Sequence, residues 1–436
     1  MIDDFRPMPA PKLVPEEAPK PTPVPKPTFQ TPEQVAVHQE IPSPRIEETP
    51  EQAMVFDSLA KREKPRGSGH HWFNLPWPPT RTEIIAVIGV LLIAVAGVTS
   101  YIMLKPDKPA KQVAVTKPVK KEAPKPTTVA SSLTGLQVAK EINERPVVGV
   151  MIENSLEARP QSGLSQAGVV FEAVAEGGIT RFLALFQDEQ PGSIGPIRSS
   201  RPYYVQWALG FQAIYAHVGG SPDALNLIKT TGTQDLDQYY NGGSFQRVNT
   251  KAAPHNVYAN VATLAGAGTA KGYKSAYSGF VRVPTASKAK AVASPQTTTD
   301  TAKSATGIDF NMSGYAFNPR YDYDSASKTY KRSLAGAAHL DANTNQQLAP
   351  RVVVAIVVPM TPGSLDAQGV AYSNYNPIGT GTAYVFQNGT VTVGNWTKAS
   401  NDAQLAFTAA DGKPLPLEAG QTWISAVTSP GNVSYK

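Results

Sequence analysis

"AGVVFEAVAEGGITRFLALFQDE", residues 167–189, sets the fold class of the chain's folded part. VVFEAVAE and ITRFLALF are apolar runs of strand length, rich in β-branched and aromatic residues. Between them Gly177-Gly178 supplies the backbone freedom that a tight reversal needs. The stretch reads as a β-hairpin. Successive strand residues point to opposite faces, so Glu172, Val174 and Glu176 are expected on one face, with both carboxylates pointing the same way. Four residues along a strand span about 13 Å, against roughly 5–9.5 Å for working glycosidase carboxylates, so Glu172 and Glu176 are not such a pair.

The neighbouring segments extend this to an α/β module over residues 141–283. "RPVVGVMIEN" (145–154) is a buried strand ending in a polar turn, and "FQAIYAHVGGS" (211–221) holds another apolar run. "SPDALNLIKTTG" (221–232) is a helix with Ser221 as N-cap, Pro222 at its first position, Asp223 in its first turn and Gly232 beyond its end. The module is expected to close near "APHNVYANVATLAG" (253–266). Residues 284–310 begin with "PTASKAKAVASPQTTTDTAKSAT", poor in apolar side chains, and read as a flexible connector or insertion. Residues 311–436 are expected to form a β-rich module; there Asn388-Gly389, between two alternating runs, has the composition of a type I′ hairpin turn.

Upstream the texture differs. The chain has 39 prolines in 436 residues, crowded into its first part. Residues 1–80 alternate proline with charge, cannot bury enough apolar surface to order themselves, and are expected to be a disordered tail. Residues 81–104 are expected to form one transmembrane helix, since 84–104 carry no charge and would run about 31 Å, enough for a hydrocarbon core of about 30 Å. Trp72, Phe73 and Trp77 precede it as an interfacial belt would. Residues 105–140 are a Lys/Pro-rich linker, able also to meet anionic headgroups or an anionic wall polymer. Basic residues flank both ends of the span, so charge does not orient it. The absence of cysteine excludes disulfides and thiolate metal sites from these 436 residues.

"GPIRSSRPYY" (195–204) concentrates charge in a chain that is only 17% charged. Ser199 or Ser200 is expected to cap a helix that continues through "YYVQWAL" and stops at Gly210, which places Arg198 and Arg201 about its N-terminus. Arginine there opposes the helix dipole. Two readings stay open: carboxylates such as Glu172 or Glu176 hold the arginines inside the fold, or the arginines complete an anion site. Arg181, His217, Ser221, His255 and Asn256 join Glu176, Arg198 and Arg201 as ligand-binding candidates near strand ends. "HVGGSP" lacks the Gly-x-Ser-x-Gly nucleophile pattern, "GAGTAKG" (266–272) matches no phosphate-loop fingerprint, and neither His70-His71 nor His339 with Asp341 has metal-site company. No metal, cofactor or nucleic-acid partner is expected.

"MIENSLEARPQSGLSQAGVVFEAVAEGGITRFLALFQ", "IGPIRSSRPYYV", "HVGGSPDA" and "APHNVY" resemble the YerB-like family of bacterial envelope lipoproteins, a two-part domain of unknown function. "YKRSLAGAAHLD", "VVVAIVV" and "FQNGTVTVGNWTK" extend the resemblance into the second part. It implies a location outside the cytoplasmic membrane, and it places the motif arginines at Arg159, Arg181, Arg198 and Arg201 with Glu176, His217 and His255, without a reaction. A lipidated cysteine is replaced here by the expected helix. The expectation is therefore a single-pass protein of the cytoplasmic membrane, tail inside, whose outer modules bind an anionic cell-wall polymer or envelope protein through an arginine-rich cleft. An envelope hydrolase of anionic substrates, using Glu176 or His217, and a scaffold joining cytoplasmic and envelope machinery are the alternatives.

Overall fold

The computed structural model describes residues 81–103, 127–284 and 303–436. The expected tail (1–80), most of the linker (104–126) and the centre of the connector (285–302) lie outside the described residues. Two units result, one holding the helix α1 (Arg81–Met103) and the other the body from residue 127 onward, and each is described by itself.

Helix α1 is 23 residues long. Its described aliphatic side chains, among them Ile85, Ile88, Leu91, Leu92 and Ile93, are exposed. Among the described residues no helix is long and apolar enough to cross a membrane; that description leaves out the side chains of residues 81–84, 87 and 102.

The body is built on one large sheet of 13 strands. From one edge its order runs Asp235–Asp237, Ile214–His217, Val148–Glu153, Ile179–Phe186 and Val169–Glu176, then Thr422–Val427, Val352–Val357, Gly379–Gln387, Thr390–Lys398 and Lys303–Ser304. The fold thus has two parts in sequence, the second β-rich, and few helices. Strands from both parts share the sheet: Thr422–Ser425 run parallel to Val169–Glu172 and join the two. A separate five-stranded sheet carries Gly307–Phe310, Pro319–Asp324, Thr329–Leu334, Ala337–Ala338 and Val433–Tyr435.

Two boundaries differ from the sequence reading. Residues 127–140 belong to the body, not to a linker: Thr128–Ala130 pairs with Gln137–Ala139, and Leu133 between them is buried under Gly168, where a Cβ would meet its side chain at 2.6 Å. Residues 303–310 are strands, held by Thr390–Val391 and by Arg320–Asp322. In each case contacts with distant parts of the chain order a segment whose own composition is weak: Ser131 and Thr134 donate to Asp188 and Leu133 O accepts from Arg282, while 303–310 pair with distant strands.

Alternation along the strands gives the sheet two apolar faces. Val148, Val150, Ile152, Phe182 and Trp423 pack on one; Met151, Phe171, Leu183 and Ile424 pack on the other. The second face is covered by the helix Pro202–Leu209, whose Trp207 stacks on Phe171 at 5.0 Å. Tyr203 Oη donates to the Val174 carbonyl at 2.7 Å, so the helix is tied to the hairpin by polar as well as apolar contact. Burying each such aromatic is worth about 1.5–3 kcal/mol.

The cap of that helix corrects the sequence expectation. Arg201, not Ser199 or Ser200, is the N-cap residue, and its side chain makes no capping bond. Ser200 is engaged elsewhere, its Oγ 2.7 Å from Tyr215 Oη. Helix Pro222–Thr231 agrees with the expectation, with Ser221 Oγ accepting from Ala224 N and Gly232 left-handed at φ 66°.

Candidate functional site

Val148–Glu153, Ile214–His217 and Asp235–Asp237 run parallel, so their carboxyl ends share one edge of the sheet. That edge is where open α/β sheets place ligands. It gathers most of the candidates, but in two separate ionic groups.

The first group is centred on Glu176. The hairpin of residues 169–186 carries a β-bulge between Val174 and Glu176, which inserts one residue and reverses the facing of the strand beyond it. Glu172 therefore lies on the Phe182–Trp423 face, while Glu176 reaches the opposite one; the expected shared face does not form. Glu176 Oε1 accepts from Arg181 Nη2 at 2.5 Å, and Oε2 accepts from Arg201 Nη2 at 2.6 Å and Nε at 3.1 Å. The remaining amino groups donate to backbone, Arg181 to Ser199 O (2.7 Å) and Arg201 to Ser200 O (2.5 Å). Tyr372, from the second part of the chain, lies under the Arg201 guanidinium at 4.6 Å. Burial works to raise the Glu176 carboxyl, but the two guanidiniums outweigh it and hold it below its ordinary value. Burial and the neighbouring Arg181 charge lower Arg201. Both Nη groups of Arg181 and all three guanidinium nitrogens of Arg201 are thus engaged, while Arg181 Nε is buried without a partner among the described residues, and the carboxylate offsets the charge opposing the helix dipole.

The second group is centred on Glu153, at the end of its strand and buried. Arg198 Nε lies 3.3 Å from Glu153 Oε1, and His255 Nδ1 lies 2.9 Å from Oε2. Ser155 Oγ is 3.4 Å from the same imidazole nitrogen. Arg198 is the less buried arginine of its motif, at 27% against 5% for Arg201. Among the described residues its two Nη groups have no bonding partner, and neither has His255 Nε2; none of these three atoms is buried. A bidentate cationic fork and an imidazole nitrogen therefore face solvent from one carboxylate.

The other candidates are engaged in the frame. His217 is buried, with Nδ1 2.8 Å from Gly219 O and Nε2 2.8 Å from Asp235 Oδ1, so it links two strands. Ser221 caps its helix, and Asn256 Oδ1 accepts from Arg247 Nη1 at 2.8 Å on the hairpin of residues 245–259. Arg159 donates to Asn154 Oδ1 and O and to Ala316 O, and burial lowers it to about 10. His339 donates to Gln161 Oε1 through Nε2 and accepts from Arg332 Nε through Nδ1; burial and two guanidiniums hold it well below the ordinary value.

Two polar groups escaped the sequence reading. Glu153 ends an apolar strand in a charge, a signal that was present but isolated. The fully buried pair Arg332–Glu172, 2.8 Å apart, joins residues 160 positions distant, with Trp423 Nε1 and Ser425 Oγ also donating to Glu172. No local pattern announces it.

The body is a sheet-dominated, two-part fold whose first part presents an ionic site at a parallel-strand edge and whose second part supplies packing partners. The chain belongs to the family described as "Protein of unknown function (DUF3048)", whose N-terminal domain matches residues 133–274 and whose C-terminal domain matches residues 308–424. It is 32% identical over 296 residues to "Putative lipoprotein YerB" of Bacillus subtilis (strain 168), covering 68% of this chain and 85% of that protein. The crystal structure of YerB from Bacillus subtilis superposes with a TM-score of 0.61 at 29% identity, over 71% of this chain and 99% of that one.

Proposed function

We propose that this chain is a membrane-anchored envelope protein whose body lies outside the cytoplasmic membrane and binds an anionic envelope ligand through Arg198, with His255 beside it. Anchoring is supported by the exposed aliphatic side chains of α1, among them Leu91, Leu92 and Ile93, which would favour an apolar surrounding. The outward placement is supported by the relative's description as a lipoprotein.

The observation that carries the binding reading is the contrast between the arginines of one motif. Arg201 bonds through all three of its guanidinium nitrogens to Glu176 and to backbone, whereas Arg198 keeps both Nη groups open. A guanidinium fork suits a phosphate or carboxylate of the ligand. The test is titration of the full chain in detergent with a soluble polyol-phosphate polymer, at low and moderate salt. Binding that weakens with salt and falls at least tenfold in Arg198→Ala is expected; equal binding by the variant would overturn the reading.

A second reading is favoured by His255 alone. Its Nδ1 rests on a buried carboxylate while its Nε2 is open, the arrangement of a general base. Glu176, one of the other candidates for that role, is held in ion pairs, and both ring nitrogens of the other, His217, are taken up in hydrogen bonds. Release of polyol or free phosphate monoester during the same titration, lost in His255→Gln, would move the reading to hydrolysis.

A further inference from the structure

A cavity of about 530 Å³ opens on the five-stranded sheet, and none of its lining residues belongs to the Arg198 group. Its volume is that of an ordinary small-ligand site. Its walls mix polar and apolar surface in similar measure: Asp309, Asp322 and Arg320 come from paired strands, Asn311 and Asn432 from the loops beside them, and Phe310, Pro319 and Ala335 are among the rest. Arg320 is clamped between the two aspartates, at 2.8 Å and 2.6 Å, so the three side chains hold one another in place and leave one net negative charge. An anion is therefore disfavoured.

One large apolar surface stands at this cavity: Tyr315, 72% exposed. It sits on a pinned turn. Arg159 donates to Ala316 O at 2.8 Å, its guanidinium lies 5.2 Å from the Phe317 ring, and Asn318 Oδ1 accepts from Met312 N and Ser313 N. Across the cavity Gly336 is left-handed at φ 74°, and a Cβ there would come within 2.8 Å of Tyr315 Oη. A fixed, exposed aromatic costs little entropy to engage.

From this combination we infer that the cavity binds the pyranose rings of a wall glycan strand. The C–H face of a pyranose packs on an exposed aromatic ring, while its hydroxyls donate to carboxylates and exchange bonds with amides, the groups gathered here. The inference shares with the proposed function only the envelope location and uses none of the Arg198 residues.

The test is calorimetric titration of the full chain in detergent with glycan strands freed of stem peptides and anionic polymers. Native protein and Tyr315→Trp should bind, Tyr315→Ala should lose at least tenfold in affinity, and Gly336→Ala should weaken binding by displacing the ring. Arg198→Ala should bind these strands normally, which separates failure of this site from failure of the anion site. No binding by the native chain, or undiminished binding by Tyr315→Ala, would overturn the inference.

Discussion

Glu176 holds two guanidiniums that are almost wholly buried. Its removal therefore matters more than that of either arginine alone, because both cations would face each other without a counter-ion. Glu176→Gln should cost about 3–5 kcal/mol, the usual consequence of breaking a buried pair. Acid adds a sign. The folded carboxyl titrates below its unfolded value, so its contribution is complete above the ordinary carboxylate pKa of about 4.3 and is lost as pH falls through the folded value. Chemical unfolding from pH 7 down to 3 should show native stability converging on that of Glu176→Gln; a constant gap would mean that the carboxylate does not support the arginines.

Elements differ in how far their own residues announce them. The hairpin of residues 169–186, the Ser221-capped helix and the turn at Asn388-Gly389, with φ 55° and 73°, are dictated by period, cap and turn chemistry. The bulge after Val174 is not, since one inserted residue changes no composition, yet it decides which carboxylate meets which arginine. Ser200 is a good cap by type but is occupied by Tyr215, a partner that only the tertiary fold supplies. Lys398, ending the strand Thr390–Lys398, is a further case. It is 1% exposed and donates to the carbonyls of Asn401 and Ala403, fastening a loop whose Asn401 Oδ1 accepts from Gln206 of the helix Pro202–Leu209. Burial, only partly opposed by Asp402, lowers its pKa to about 8. Because the folded value lies below the unfolded one of about 10.4, Lys398 should make the body more stable as pH rises between these values, by up to about 3 kcal/mol. Native stability measured relative to Lys398→Met should rise over that interval; a flat or falling difference would refute the buried amine.

Across the whole molecule, the two family domains are joined by strand pairing and by the Glu172–Arg332 pair, so the body offers its anion edge and its polar cavity on one framework. Both proposed sites need that framework to lie outside the membrane, which makes topology the central claim. The natural absence of cysteine allows a direct measurement. Tyr240, 85% exposed on the body, and Ser58 of the N-terminal segment are replaced one at a time, Tyr240→Cys and Ser58→Cys, and intact wall-stripped cells are treated with a membrane-impermeant maleimide. The proposal predicts labelling of Tyr240→Cys in intact cells and of Ser58→Cys only after permeabilisation. Labelling of Ser58→Cys in intact cells with Tyr240→Cys protected until lysis would contradict it.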